Sequence, residues 1–108
     1  MEAILEKARE IGMLIRETGI YKRYSETSRA LEKDPQSSLL LEKLYSLSRE
    51  LQERRAYGDI IEDYEERELN ETTEEVNSNT IILEYLKAQK EYGDFLIRIQ
   101  QEIAERDR

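Results

Sequence analysis

The sequence contains no cysteine, no histidine and no tryptophan. Without cysteine there are no disulfides, no thiolate metal sites and no thiol nucleophile. Without histidine the commonest general base and the commonest transition-metal ligand are gone, and with them every Ser-His or Cys-His arrangement. Proline occurs once and glycine four times, at isolated positions, so no glycine loop can cradle a phosphate. No run approaches the ~20 apolar residues of a membrane-spanning helix. The opening segment, MEAILEKAREIG, interleaves acids, bases and apolar residues, unlike a secretory signal. These exclusions predict a cytoplasmic protein that is not an enzyme, has no cofactor or metal and does not enter a membrane. Asn70-Glu71-Thr72 matches the glycosylation acceptor pattern, which has no meaning without export.

What is present is charge in periodic arrangement. Of 108 residues, 39% are charged and 38% apolar, a balance that suits long amphipathic helices with solvated outer faces. Twenty-five acids against 17 bases give a net charge of −8, which repels phosphate backbones and makes direct nucleic-acid binding unfavourable. The length fits one helical domain, residues 1–108. A small domain with a wide apolar face leaves much of that face uncovered, which predicts self-association.

The strongest pattern is at the C-terminal end. Ile82, Tyr85, Gln89, Tyr92, Leu96, Ile99 and Ile103 recur in steps of three and four, the spacing of a heptad seam. Ile81, Ala88 and Phe95 widen one flank, so the face suits cover by several helices. This seam is the expected core and self-association surface. Gln89, its one polar member, either sets register there or lies at a wet edge.

Four shorter helices are expected before it. The first covers residues 2–18, with Ile4, Ala8, Ile11 and Ile15 as its stripe and Gly12 on the buried side at a close crossing. Gly19 is placed as its left-handed cap. The second runs over 20–33, with Ile20, Tyr24 and Leu31 on its apolar face. Asp34-Pro35 marks the next start, with Asp34 as N-cap and Pro35 in the first turn. Leu40, Leu44, Leu47 and Leu51 then form a seam to about Ala56, and Tyr57-Gly58-Asp59 reads either as a stop followed by a new cap or as part of one continuous helix. Residues 60–76 make a marginal, strongly acidic helix using Ile60, Ile61, Tyr64, Leu69 and Val76, with a break expected near Asn70–Thr73. Asn79, or Asn77, caps the last helix. The fold class is therefore all-α, an antiparallel bundle of about five helices with a long C-terminal one.

Three groups of residues stand outside this scheme. The acidic run Glu62–Glu75 offers a divalent-cation site or a surface for a basic partner, but it has neither EF-hand spacing nor the Glu-x-x-His pattern of di-iron bundles, and it reads best as a solvated helix face. Seven of the eight aromatic residues are tyrosine, a type suited to interfaces because it joins an apolar ring to a polar tip. Of these, Tyr21, Tyr45 and Tyr57 are the expected exposed ones. Lys22, Arg23, Arg29, Arg54 and Arg55 are the candidate basic patch. Together these eight residues make a candidate partner surface, with RNA contact by the basic ones as the alternative.

The run RETGIYKRYSETSRALEKDPQSSLLLEKLYSLSREL (Arg16 to Leu51), followed by NTIILEYLKAQKEYGDFLIRIQQEI (Asn79 to Ile103), resembles the YlbF/YmcA family of bacterial cell-fate regulators, which includes YheA. The resemblance rests on the short tyrosine-bearing helix ending at Leu31 to Asp34, the leucine seam after Pro35, and the Tyr-Leu-x-Ala with a later tyrosine at Tyr85 to Tyr92. It implies a self-associating regulator without enzymatic activity. Its implied partners are other family members or a ribonuclease-associated complex, and its implied context is competence, sporulation, biofilm formation and RNA maturation. Cysteine-held iron–sulfur clusters associated with that complex do not carry over to a chain without cysteine.

Overall fold

In the computed structural model, residues 1–105 are described. They form five helices and no strand: α1 Glu2–Arg16, α2 Gly19–Glu32, α3 Pro35–Ala56, α4 Asp63–Asn77 and α5 Thr80–Glu105. The fold is all-α, as the helical periodicity requires. The chain divides into two compact units, one of Met1–Arg29 with Tyr85–Arg108 (described to Glu105), the other of Ala30–Glu84.

The second unit holds most of the core. Leu41 and Leu51 from α3, Val76 from α4 and Ile82 from the start of α5 are buried, and Ser37 and Thr72 are buried with them. α3 and α4 form an antiparallel pair. Three ion pairs link them, Lys43–Glu68 at 3.8 Å, Arg54–Glu65 at 2.8 Å and Arg55–Glu66 at 2.7 Å. α3 ends where the sequence offers a left-handed glycine. Gly58 has φ +81°, its N–H donates to the Arg55 carbonyl, and the Asp59 N–H donates to the Arg54 carbonyl. That pair of bonds is the Schellman motif, so the continuous-helix alternative does not hold.

The α4 boundaries differ from the sequence expectation in two ways. Glu62, not Asp59, is the N-cap, and Ile60 and Ile61 lie in the connection before the helix. The expected break near Asn70–Thr73 does not occur. Thr72 and Thr73 donate their hydroxyls to the Glu68 and Leu69 carbonyls at 2.8 Å, satisfying groups that would otherwise compete with the helix. Thr72 is also 2% exposed, so packing holds the stretch helical.

Helix starts are set by side chains. The Asn79 carbonyl oxygen accepts from the Ile82 N–H at 3.0 Å, the expected cap of α5. Asp34 sits at the N-cap position of α3, but its carboxylate accepts the Ser37 hydroxyl at 2.8 Å instead of a backbone N–H. Ser38 donates back to the Leu31 carbonyl at 2.6 Å and closes the end of α2.

In the first unit, Gly19 is not a left-handed cap. It is the first residue of α2, and Glu17 closes α1 in a right-handed conformation. The turn is built on Thr18, whose hydroxyl donates to the Ile15 carbonyl at 2.6 Å and accepts from the Tyr21 N–H at 3.2 Å. One side chain thus closes α1 and caps α2. Gly12 marks no close helix crossing. A Cβ there would meet only the Arg16 guanidinium of its own helix, at 3.4 Å.

Candidate interaction surfaces

The first unit is organised around four tyrosines. Tyr24 stacks on Tyr92 with ring centroids 4.8 Å apart and leans on Tyr85 at 6.1 Å, while Tyr21 meets Tyr92 edge-on at 5.6 Å. All four are half-buried. Such pairs contribute beyond their buried area, and here they join α2 to α5. Tyr21, expected on the outside, is therefore part of the packing. Arg23 adds a 3.7 Å ion pair to Glu91 beside them.

The buried side of α5 passes through Ala88, which is 5% exposed, rather than through Gln89. Gln89 lies on an exposed edge and donates to the Tyr85 hydroxyl at 3.3 Å. Of the other seam residues, Ile82 is buried in its own unit, Leu96 and Ile99 are half-buried, and Ile103 is 64% exposed. Of the flank that widened the seam in the sequence, Ala88 is buried and Ile81 and Phe95 are half-buried.

α1 contains no buried residue. Its apolar side chains Ile4, Leu5, Ile11, Met13 and Leu14 are exposed. Ile11, Leu14 and Ile15 line an apolar groove of about 270 Å³ with Phe95, Ile99 and Ile103 of α5. A helix with a strong apolar stripe and no buried side chain presents surface that water covers poorly.

In the second unit, the α3–α4 connection is a second candidate surface. Tyr57, Ile60 and Tyr64 are 87%, 80% and 65% exposed. Tyr45, on α3, is also exposed. Arg54 and Arg55, expected in the basic patch, are engaged by Glu65 and Glu66. Arg54 also donates to the Ile60 carbonyl at 3.1 Å and lies 3.7 Å from the Asp59 carboxylate. The bond to Glu65, with that carboxylate's charge, raises the Arg54 pKa further. Lys22 and Arg29 remain exposed on α2 without an ion pair among the described residues. The five basic residues of the candidate patch therefore differ in kind: three are already paired.

Two signals could have located these surfaces from sequence. Ile60 and Tyr64 follow a helix stop with acids on every side, which is poor context for a core. Thr18 stands at the junction of two helical patterns, where a hydroxyl caps. Among the described residues no cluster of acids is arranged to hold a metal ion, and no helix is long and apolar enough to cross a membrane.

A chain whose described residues form five amphipathic helices and no strand, with apolar and aromatic surface left outside, belongs to the class of small all-α proteins. The particular family is the one described as control of competence regulator ComK, YlbF/YmcA, whose model matches residues 4–106, and the chain belongs to it. Among solved structures it is similar to Bacillus subtilis RicA, seen in a crystal structure in complex with RicF. The identity is 15%, covering 98% of this chain and 97% of that one with a TM-score of 0.71. At that identity the likeness is one of fold. No curated protein matches the sequence.

Proposed function

We propose that this chain is a non-enzymatic regulatory adaptor of the cytoplasm that works by presenting helix faces to protein partners. The observation that carries the reading is α1, an amphipathic helix with no buried residue beside an apolar groove. Membership of a family of competence regulators supports a regulatory role, and the complex of RicA with RicF shows the same fold engaged by a protein. The first contact is with a second copy, through Leu14, Ile99 and Ile103 of the groove. Further contacts are with other family members or a ribonuclease-associated complex, in competence, sporulation, biofilm formation or RNA maturation. Direct RNA binding is the weaker reading, because Arg23, Arg54 and Arg55 already have carboxylate partners on a chain of net charge −8.

Affinity purification from the native cell with mass spectrometry tests the adaptor role, and recovery of no specific protein overturns it. Light scattering tests the self-contact. Leu14→Glu with Ile103→Glu is expected to convert a dimer to a monomer of unchanged helicity.

A further inference from the structure

The α3–α4 connection combines three features that loops rarely share. It is tied to α3 by side-chain bonds, Tyr57 and Ile60 stand in solvent while Ile61 is half-buried, and its own charged side chains are all acidic. Arg54 supplies those bonds. Its guanidinium binds Glu65 of α4, the Ile60 carbonyl and the Asp59 carboxylate, and so ties both ends of the connection to α3. Tyr64 joins the same network by donating to Glu65 at 3.3 Å. Gly58 turns the chain through its left-handed conformation at the start.

On this frame Tyr57 and Ile60 are, after Met1, the most exposed large hydrophobic residues among those described. Nothing in their own unit buries them. Exposed tyrosine with an aliphatic neighbour on a preorganised backbone is the composition of an interface hot spot, because little conformational freedom remains to be lost on binding.

The charge identifies the occupant. From Asp59 to Glu66 there are five acids and no base. Arg54 and Arg55 answer Asp59, Glu65 and Glu66, which leaves Glu62 and Asp63 without an ion-pair partner among the described residues. Such a field repels nucleic acid and attracts lysine and arginine. Sequence alone placed Tyr57 in a basic partner surface with Arg54 and Arg55; the ion pairs reverse the sign of that surface.

We infer that the α3–α4 connection docks a basic, amphipathic segment of a partner protein, with Tyr57, Ile60 and Tyr64 against its apolar side and Glu62 and Asp63 against its cations. This rests on the adaptor reading and specifies one surface of it.

The test titrates the full chain with three probes: a helical peptide of leucine and lysine in heptad spacing, the same peptide with glutamate for lysine, and a poly-uridine oligonucleotide. Backbone amide NMR reports the site. The expected result is binding of the lysine peptide alone, with shifts concentrated at Gly58 to Ile61. Replacing Tyr57 and Ile60 together by serine weakens it about tenfold or more, as expected for hot-spot truncation. The pair Glu62→Gln and Asp63→Asn also weakens it. The control pair Glu71→Gln and Glu74→Gln, which removes as much charge further along α4, leaves affinity unchanged. Equal weakening by the control pair would mean bulk charge attraction and overturns the site, as do shifts mapping elsewhere or binding of the glutamate peptide or oligonucleotide at this connection. Native partners retained equally by the wild type and the Tyr57/Ile60 variant would sink this site and leave the adaptor role standing.

Discussion

Asn79 and Ser37 are joined by a 2.8 Å hydrogen bond across 42 positions of sequence, the Asn79 amide donating to the serine hydroxyl. The same asparagine caps α5 through its carbonyl oxygen, and the same serine donates to Asp34. The starts of α3 and α5 are thereby one polar network around Ser37, which is 1% exposed. Asn79→Ala removes both the cap and the cross-link and is expected to cost about 2 kcal/mol. Asn79→Ser keeps a capping oxygen but does not reach Ser37, and recovers about half of that loss. Urea denaturation of the three proteins gives the comparison; equal stability of Asn79→Ala and wild type would remove the network's structural role.

The two arginines at the end of α3 are neighbours in sequence and unequal in setting. Arg54 and Glu65 have side chains 30% and 17% exposed, whereas Arg55 and Glu66 are 50% and 52% exposed. Arg54 alone holds the connection through the Ile60 carbonyl. Arg54→Gln is expected to lower the melting temperature and to speed amide exchange at Gly58 to Ile61. Arg55→Gln leaves both unchanged, as an exposed ion pair contributes little. Identical melting curves for the two variants would show that the clamp does not act as described.

Two glycines predict changes of opposite sign. Gly58 adopts φ +81°, where an added Cβ is strained, so Gly58→Ala is expected to cost about 1 kcal/mol. Gly93 is helical with nothing within 4 Å of an added Cβ, so Gly93→Ala stabilises by roughly 0.5–1 kcal/mol. Thermal unfolding at fixed protein concentration separates the two. A Gly93→Ala protein less stable than wild type would contradict the open space found beside it.

Tyr24 stands between Tyr85 and Tyr92 and carries most of the aromatic packing of the first unit. Tyr24→Ala is expected to cost about 2–3 kcal/mol, less than for a fully buried ring because the residue is half-buried. Tyr24→Phe keeps the ring contacts and costs well under ~1 kcal/mol. Tyr45→Ala, at an exposed position, falls within about 0.5 kcal/mol of wild type.

Alkaline pH acts on Tyr64. The Glu65 charge, then its hydrogen bond to Glu65, holds the phenol above its ordinary pKa of 10.0. The folded chain therefore binds this proton more tightly than the unfolded chain. Its contribution is fully present below pH 10.0 and is lost as pH rises through the raised value. Lys90, held up by its bond to Asp94, loses stability in the same direction from 10.5. Tyr64→Phe is expected to lower the neutral melting temperature slightly, by removing the bond to Glu65, and to flatten its fall above pH 10.0. An identical alkaline fall in both proteins counts against it.

Helix number and order were legible because apolar side chains at three-four spacing leave few alternatives, and because Asp34-Pro35 and Asn79 announce their helices chemically. The errors have local causes. Glycine's permissiveness makes Gly12 and Gly19 look structural in the sequence, yet the Thr18 hydroxyl is what closes the first turn. Thr72 looked like a breaker because its hydroxyl competes for backbone bonds, and tertiary burial reversed that preference. On the candidate surfaces, Tyr45 and Tyr57 are exposed, as expected of them. The pairing of Tyr21 with Tyr92 and of Arg54 with Glu65 joins separate helices, which no periodicity within one helix encodes.

Because no residue of α1 is buried, its detachment exposes little new apolar surface. The free energy of that opening is a small part of the whole, and α1 amides should trade hydrogen for deuterium well before those of α3. Anything that seats on α1 adds RT ln(1 + [L]/Kd) to this local stability. Exchange at α1 is therefore a built-in gauge of occupancy: it slows in proportion to binding while the amides around Leu41 and Leu51 keep their own rate.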